Sequence, residues 1–139
     1  MSHKRVPAIF MRGGSSTGVF FHSSDLPEDK NSWDKLFLSV LGSPDPYGRQ
    51  LNGMGGGISS LSKAVVISPP TRLDADVDYT FAQISVKDAV VDYSSNCGNL
   101  SSAVGPVAID TGLVDASGVK KEVKIHNTNS GNLLVSMVA

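Results

Sequence analysis

Short apolar runs, each closed by glycine or proline, constrain the fold of this chain more than any other feature. The 139 residues include 14 glycines and 7 prolines, and Val, Ile and Phe are frequent between them. Such runs are typical of β-strands joined by tight turns, whereas helical bundles need longer segments without Gly or Pro. The sequence therefore predicts an α+β fold that is mainly β, with few helices.

Several segments have the composition or alternation of β-strands. They are residues 6–11, 19–22, a strand beginning within 58–63, 76–86, 89–93, 121–126 and 133–138. The first two flank the turn-like residues 13–18, so we expect them to pair as a hairpin. Because the last segment is mostly apolar, we expect its edge to pair with a further strand or to be covered by a partner.

Two further segments have helical spacing. Residues 32–41 place their apolar side chains on one face, with Ser32 as the predicted N-cap and Gly42 as the stop. Residues 99–112 carry apolar side chains at spacings of three and four, which predicts a second helix. Pro106 falls inside it and should kink it, because proline removes one backbone hydrogen bond.

Composition and charge argue against several functional classes. The net charge is -1 and the basic residues are scattered, so no basic surface for nucleic acid or an anionic membrane is expected. No apolar stretch approaches the roughly 20 residues of a membrane span. The single cysteine cannot form an internal disulfide, and a lone thiol fits a reducing compartment. We therefore expect one cytoplasmic globular domain.

Cys97 is the first candidate for chemistry. It comes just before the second predicted helix, where unpaired amides and the positive end of the helix dipole favour a thiolate. The alternative is a small, buried and inert cysteine, which is common in proteins. Gly98 next to it would let a ligand carboxylate reach the backbone amides, and Asn96 and Asn99 offer side-chain donors. Asn99 could equally serve only as a helix cap.

The glycine-rich residues 55–63 form a second candidate anion site. They combine consecutive glycines, serine hydroxyls that include Ser59 and Ser60, and the ammonium group of Lys63, all of which are donors. A lysine that precedes a strand is more often a solvated strand end, so this interpretation also stays open.

Two familiar site types do not fit. Residues 13–18 have the glycine spacing of a phosphate-binding P-loop, but Val19 and Phe20 stand where Lys and Ser or Thr are required. The three histidines have neither the carboxylate neighbours nor the cysteines of a metal site, so His126 is interpreted as a strand residue. We therefore expect no metal and no bound nucleotide.

Four segments together resemble the PrpF family, in the same order along the chain. They are MRGGSSTGVF at 11–20, GSPDPYG at 42–48, GMGGGISSLSK at 53–63 and NCGNLSSAVGP at 96–106. The family includes isomerases of 2-methylaconitate, methylitaconate and aconitate and tautomerases of oxalomesaconate. Its fold is that of diaminopimelate epimerase, in which each of two domains wraps a sheet around a central helix.

The resemblance implies that residues 1–139 are one domain, the incomplete N-terminal part of a two-domain enzyme, and cover about its first third. The helix after Cys97 would be the central one. The surface that covers the edge of the last predicted strand would belong to the second domain or to another copy of the chain.

The family motifs also imply roles for individual residues. Its proposed acid/base pair maps onto Cys97 and Lys63. Its motifs around the substrate carboxylates map onto Ser15, Ser16, Thr17, Ser59, Ser60, Asn96, Gly98 and Asn99. No cofactor is implied, because two placed proton-transfer groups suffice to move a proton along an allylic system.

We retain two alternative hypotheses for the function. A domain that lacks half of its enclosing cleft could be a non-catalytic carboxylate-binding or accessory fragment. An amino-acid epimerase of the same fold would use two opposed cysteines, whereas this chain offers one cysteine and a lysine.

Overall fold

The fold is taken from a computed structural model that describes residues 5–95, 97–115 and 121–138. The strands are β1 (Ile9–Gly13), β2 (Ser16–His22), β3 (Lys63–Ser68), β4 (Val77–Ile84), β5 (Val91–Asp92), β6 (Lys121–Asn127) and β7 (Leu133–Val138). The helices are α1 (Asn31–Leu41) and α2 (Gly98–Asp110), and Ser23–Asp25 and Ser59–Leu61 form short 3-10 turns. The described residues are thus mainly β, as predicted.

All the strands belong to one sheet with the order β1-β2-β3-β4-β6-β7, and β5 pairs with the end of β4. The predicted hairpin is confirmed, since β1 and β2 are antiparallel and Gly13 lies opposite Ser16. The β2–β3 and β4–β6 pairs are parallel, so each needs a long crossover. The first crossover contains α1 and the second contains α2.

The two helices cover opposite faces of the sheet. In β3, Val65 packs in a cluster with α2, whereas Ala64 and Val66 pack in a cluster with α1. A strand buried on both faces is expected to be apolar throughout. The sheet curls around α2, which packs against β1, β2, β4, β6 and β7. This arrangement confirms the predicted sheet around a central helix.

Helix α1 begins one residue earlier than predicted, and Ser32 is not its cap. The Asp29 carboxylate accepts a hydrogen bond from the Asn31 amide at 3.0 Å, so a carboxylate ahead of the helix satisfies its first donor. At the other end, Gly42 has φ 81 and closes the helix as predicted.

Helix α2 runs through Pro106 without a break and is buried along most of its length. Gly105 allows the close approach of β7, because a side chain there would meet Ser136 Oγ at 2.8 Å. The strand expected to begin within 58–63 starts only at Lys63, because Ser59–Leu61 form a 3-10 turn.

Within the described residues, neither helix has the length and apolar character needed to cross a membrane. His126 lies in β6, and its Nδ1 is 2.9 Å from Oδ1 of the buried Asp78. The described part of the chain contains no group of three or more His, Cys, Asp or Glu side chains that could hold a metal ion.

Candidate functional site

The β1–β2 turn packs directly against the N-terminal end of α2. Gly13 and Gly14 lie so close to Asn99 that a side chain on either would clash with it, and Gly14 also has φ 55. The Asn99 side-chain amide donates to Ser15 Oγ at 3.1 Å. The glycines of the first motif are therefore explained by the close approach of two backbones.

Cys97 is the N-cap residue of α2 and is only 7% exposed. Its Sγ accepts a hydrogen bond from the Leu100 amide at 3.3 Å, and its thiol points to Ser16 Oγ at 3.7 Å. The hydroxyl of Tyr79 donates to the Cys97 carbonyl oxygen at 3.3 Å. The cysteine thus combines a feature of each interpretation of the sequence, since it is buried and also lies at a helix N-terminus.

The first two amides of α2 belong to exposed residues, Gly98 and Asn99. The Leu100 amide bonds to the Cys97 sulfur and the Ser101 amide to the Cys97 carbonyl. The amides of Gly98 and Asn99 have no partner among the described residues. A side chain added at Gly98 would meet no atom within 4 Å. This end of the helix is therefore an accessible pair of donors for an anion.

Lys63 is not a solvated strand end, because it is only 8% exposed. Its Nζ donates to Gln83 Oε1 at 2.9 Å and lies 5.1 Å from the centroid of the Phe81 ring. The ion pairs found among the described residues join Arg72 to Asp74 and His126 to Asp78, so none of them involves Lys63. Its ammonium group is held by an uncharged partner.

Lys63 and Cys97 lie on the same side of the sheet. Strand alternation puts Lys63 on the face of Val65, which shares a buried cluster with Cys97 and α2. Gly18 of β2 lies between the start of β3 and the first turn of α2. A side chain at Gly18 would lie 2.8 Å from Leu100 Cδ1 and 3.3 Å from the Lys63 carbonyl oxygen. The first residue of β3 and the first turn of α2 are therefore near neighbours.

Only some of the other predicted site residues lie near Cys97 in the structure. Ser15 and Asn99 are exposed beside the open end of α2, and Ser16 is buried against the Cys97 thiol. Strand alternation puts Thr17 on the face of Val19 and Phe21, so it is not brought together with Cys97. Ser59 and Ser60 are in the 3-10 turn before Lys63, and Asn96 lies outside the described residues.

Gln83 is a polar contact of Lys63 that the sequence analysis missed. It lies opposite Lys63 in the β3–β4 register, and its amide group donates to the carbonyl oxygens of Ser59 and Ser62 at 2.9 and 3.0 Å. The available signal was the alternation in the predicted strand 76–86, where Gln83 follows Tyr79 and Phe81 on a buried face.

Gln50 was also missed, and it shapes the glycine-rich segment. It is 1% exposed and has φ 54. Its side-chain nitrogen donates to Ser43 Oγ and Ser62 Oγ at 2.8 Å each, and its oxygen accepts from the Gly57 amide at 2.9 Å. No sequence pattern distinguishes such a glutamine from an exposed loop residue, because its side-chain partners come from two other segments of the chain.

Comparison with known proteins identifies the class of this domain. The fold matches the crystal structure of a methylitaconate-delta-isomerase with a TM-score of 0.91 and 50% identity, over 96% of this chain and 34% of that one. The family model described as PrpF protein matches residues 3–139. The chain therefore belongs to the PrpF family.

Relatives in the family carry several isomerase names. The chain is 51% identical to the 3-methylitaconate isomerase of Eubacterium barkeri, over 96% of this chain and 35% of the relative. It is 49% identical to the 2-methyl-aconitate isomerase of Cupriavidus necator, over 96% and 36%. It is 46% identical to the 4-oxalomesaconate tautomerase of Pseudomonas putida, over 99% and 38%. The chain thus spans about a third of the length of these relatives.

Proposed function

We propose that this chain is the N-terminal domain of an isomerase that moves a proton, and with it a double bond, in small unsaturated di- or tricarboxylates. The observation that supports this most is the occurrence of a buried thiol, Cys97, and a buried ammonium group, Lys63, on one side of the sheet. The isomerase and tautomerase names of the relatives support the same class of substrate.

In the proposed reaction, one of these two groups acts as base and removes a proton from a carbon that is activated by a conjugated carboxylate. The electron pair delocalises into a dienolate, and the other group returns a proton three carbons along the allylic system. The double bond moves while the atoms and charges of the substrate stay balanced. Cys97 and Lys63 would work from opposite sides of the substrate. No redox step or cofactor is needed for this proton transfer.

The open end of α2 would bind a substrate carboxylate. The amides of Gly98 and Asn99 have no partner among the described residues and lie at exposed positions, and an anion at a helix N-terminus is stabilised by such donors and by the dipole. The same amides would stabilise the charge that builds on the carboxylate as the dienolate forms. Ser15 and the Asn99 side chain are further donors at this end, and the family motifs assign Asn96, Ser59 and Ser60 to the surroundings of the substrate carboxylates.

The cleft would be completed by a second domain, since the relatives are about three times as long as this chain. Closure would exclude water and hold the substrate in position. The lone cysteine is consistent with a reducing compartment such as the cytoplasm.

A second candidate is a carboxylate-binding or accessory fragment without catalysis. It is favoured by one observation, the open space around Gly98, which leaves the α2 end uncovered in this chain. Here the helix amides would still bind an anion, but the two proton-transfer groups would not hold the substrate in a reactive geometry.

The test is to incubate the chain with trans-aconitate and related acids in deuterium oxide and to follow carbon-bound proton exchange by NMR. Exchange that is lost in Cys97→Ser and kept in Thr80→Val, on the other face, would support the proposed reaction. Full exchange by Cys97→Ser would contradict the role of the thiol. Binding of the acids by calorimetry without any exchange would favour the second candidate.

A further inference from the structure

One row of side chains on β4 contacts both candidate proton-transfer residues. Tyr79, Phe81 and Gln83 alternate along the strand and face α2. Tyr79 bonds to the Cys97 carbonyl oxygen, the Phe81 ring lies against the Lys63 ammonium group, and Gln83 accepts a hydrogen bond from that group. A single strand therefore supports the positions of both groups.

The direction of the Gln83 side chain is determined by its other partners. A side-chain amide has two N–H donors and one oxygen. Both donors are used, since Nε2 bonds to the carbonyl oxygens of Ser59 and Ser62 at 2.9 and 3.0 Å. The oxygen is thus the end that meets Lys63, at 2.9 Å. The contact belongs to the sheet register, because Lys63 and Gln83 are direct partners across β3 and β4.

The partner of Lys63 is uncharged, and this has a chemical consequence. A carboxylate in the same place would orient the ammonium group but would also neutralise it. Gln83 orients it by accepting one hydrogen bond, and the face of the Phe81 ring further favours a cation. The positive charge is held in one place and stays available to an anionic ligand.

We propose that Gln83 is a positioning residue for Lys63, which it orients through its side-chain oxygen while leaving the positive charge for a carboxylate or dienolate. This inference rests on the proposed function, in which Lys63 transfers a proton. It adds a residue to which no family motif in the sequence assigned a role, and a reason why that residue is glutamine and not glutamate.

The orientation of Lys63 can be tested without any activity, by limited acetylation of the chain and peptide mass spectrometry. We expect Gln83→Met, which has a similar length but no comparable acceptor, to raise the acetylation rate of Lys63 about tenfold relative to the exposed Lys87. Gln83→Glu keeps an oxygen at that position, so Lys63 should stay protected. Thr80→Val removes a hydrogen bond on the opposite face of β4 and serves as the matched control.

Two acetylation outcomes would overturn the proposal. If Lys63 reacts no faster in Gln83→Met than in the control, Gln83 does not hold it. If Lys63 becomes equally reactive in Gln83→Met and Gln83→Glu, the bonds from the amide nitrogen to the turn matter and the oxygen does not.

The deuterium-exchange assay tests the second half of the proposal, which is that the positive charge of Lys63 stays available to bind the ligand. Gln83→Met should lower kcat about tenfold with little change in KM, because the charge remains but its position is lost. Gln83→Glu should mainly raise KM, because the added carboxylate neutralises Lys63 and repels the anion. Equal KM values for Gln83→Glu and the unchanged chain would refute this half. If the unchanged chain shows no exchange, catalysis by this domain alone is ruled out, and the acetylation rates alone decide the orientation of Lys63.

Discussion

The two faces of the sheet differ in what their buried residues do. Under α1 the buried cluster is apolar, and Phe21 and Phe37 stack with ring centroids 5.5 Å apart. Under α2 the cluster is apolar in the middle, but at the N-terminal end of the helix it borders on Cys97, Lys63 and Gln83. The cluster under α1 is therefore a packing cluster, whereas the cluster under α2 adjoins the two candidate proton-transfer groups. Substitutions on the two faces should consequently have different effects.

The largest effect on stability is expected on the α1 face. Phe37 is fully buried, so Phe37→Ala should lower the free energy of unfolding by about 3–5 kcal/mol. Urea unfolding would measure this, with Phe10→Ala as the control because Phe10 is 51% exposed. Similar losses for both variants would show that the α1 cluster is not a packed core.

The next effect concerns activity on the α2 face and rests on the proposed function. Lys63→Met removes the ammonium group and keeps an apolar chain, so proton exchange should fall by about 100-fold or more. The free energy of unfolding should change little, because a buried polar group is replaced by an apolar one of similar length. The comparison is with Lys87→Met at an exposed site. Unfolding of Lys63→Met would instead make the lysine structural.

Substitutions of two glycines at the N-terminal end of α2 should distinguish an effect on packing from an effect on ligand binding. Gly13→Ala would clash with the Asn99 backbone and should lower the free energy of unfolding by about 1–3 kcal/mol. Gly98→Ala meets no atom within 4 Å and should leave stability unchanged or slightly higher. It should nevertheless weaken binding of trans-aconitate, measured by calorimetry, because the methyl group would occupy part of the open space beside Gly98. Unchanged affinity would argue against a carboxylate there.

The smallest effect is expected from Tyr79→Phe, which removes one hydroxyl that bonds to Cys97. The loss of one hydrogen bond should cost about 1 kcal/mol. Burial, and to a lesser extent the neighbouring Cys97, raises the pKa of Tyr79 above its usual range. The folded chain therefore keeps this proton at a pH where the unfolded chain loses it.

The sign of the pH effect follows from this difference. The contribution of Tyr79 is complete below the ordinary tyrosine pKa of about 10 and is lost as the pH rises above it. The free energy of unfolding should fall above that pH by up to about 1.4 kcal/mol per pH unit for this group. Tyr79→Phe should reduce that slope in urea unfolding, while Tyr47→Phe, at an 87% exposed side chain, should not. An unchanged slope in Tyr79→Phe would contradict the assignment.

Most elements could be predicted because their signals are local. The hairpin of β1 and β2 follows from two apolar runs around a glycine turn, and Gly42 closes α1 because glycine adopts the left-handed conformation easily. The errors were also local. Ser32 was assigned as a cap because its residue type fits, but Asp29 is the residue whose side chain accepts the bond. The residue type shows only that a side chain could cap a helix. The backbone geometry decides which of several neighbouring candidates accepts the hydrogen bond.

The candidate site was predicted in part. Cys97 at a helix start and Lys63 in a glycine-rich segment could be singled out from sequence because each belongs to a recognisable motif. Whether Lys63 was solvated could not be decided, because its burial depends on β4 and on Gln83, 20 residues away along the chain. Thr17 was grouped with its neighbours Ser15 and Ser16, but successive residues of a strand point to opposite faces.

The sequence by itself determined the mainly β fold, the two helices and the motifs that define the family, because these depend on patterns within a few residues. The tertiary structure decided which of these residues meet. The strand register brought Gln83 to Lys63, and the second crossover placed the start of α2 against Gly13, Gly18 and Lys63. Such contacts join positions distant in the chain, so their cause is the packing of the sheet around α2 and not any local sequence signal.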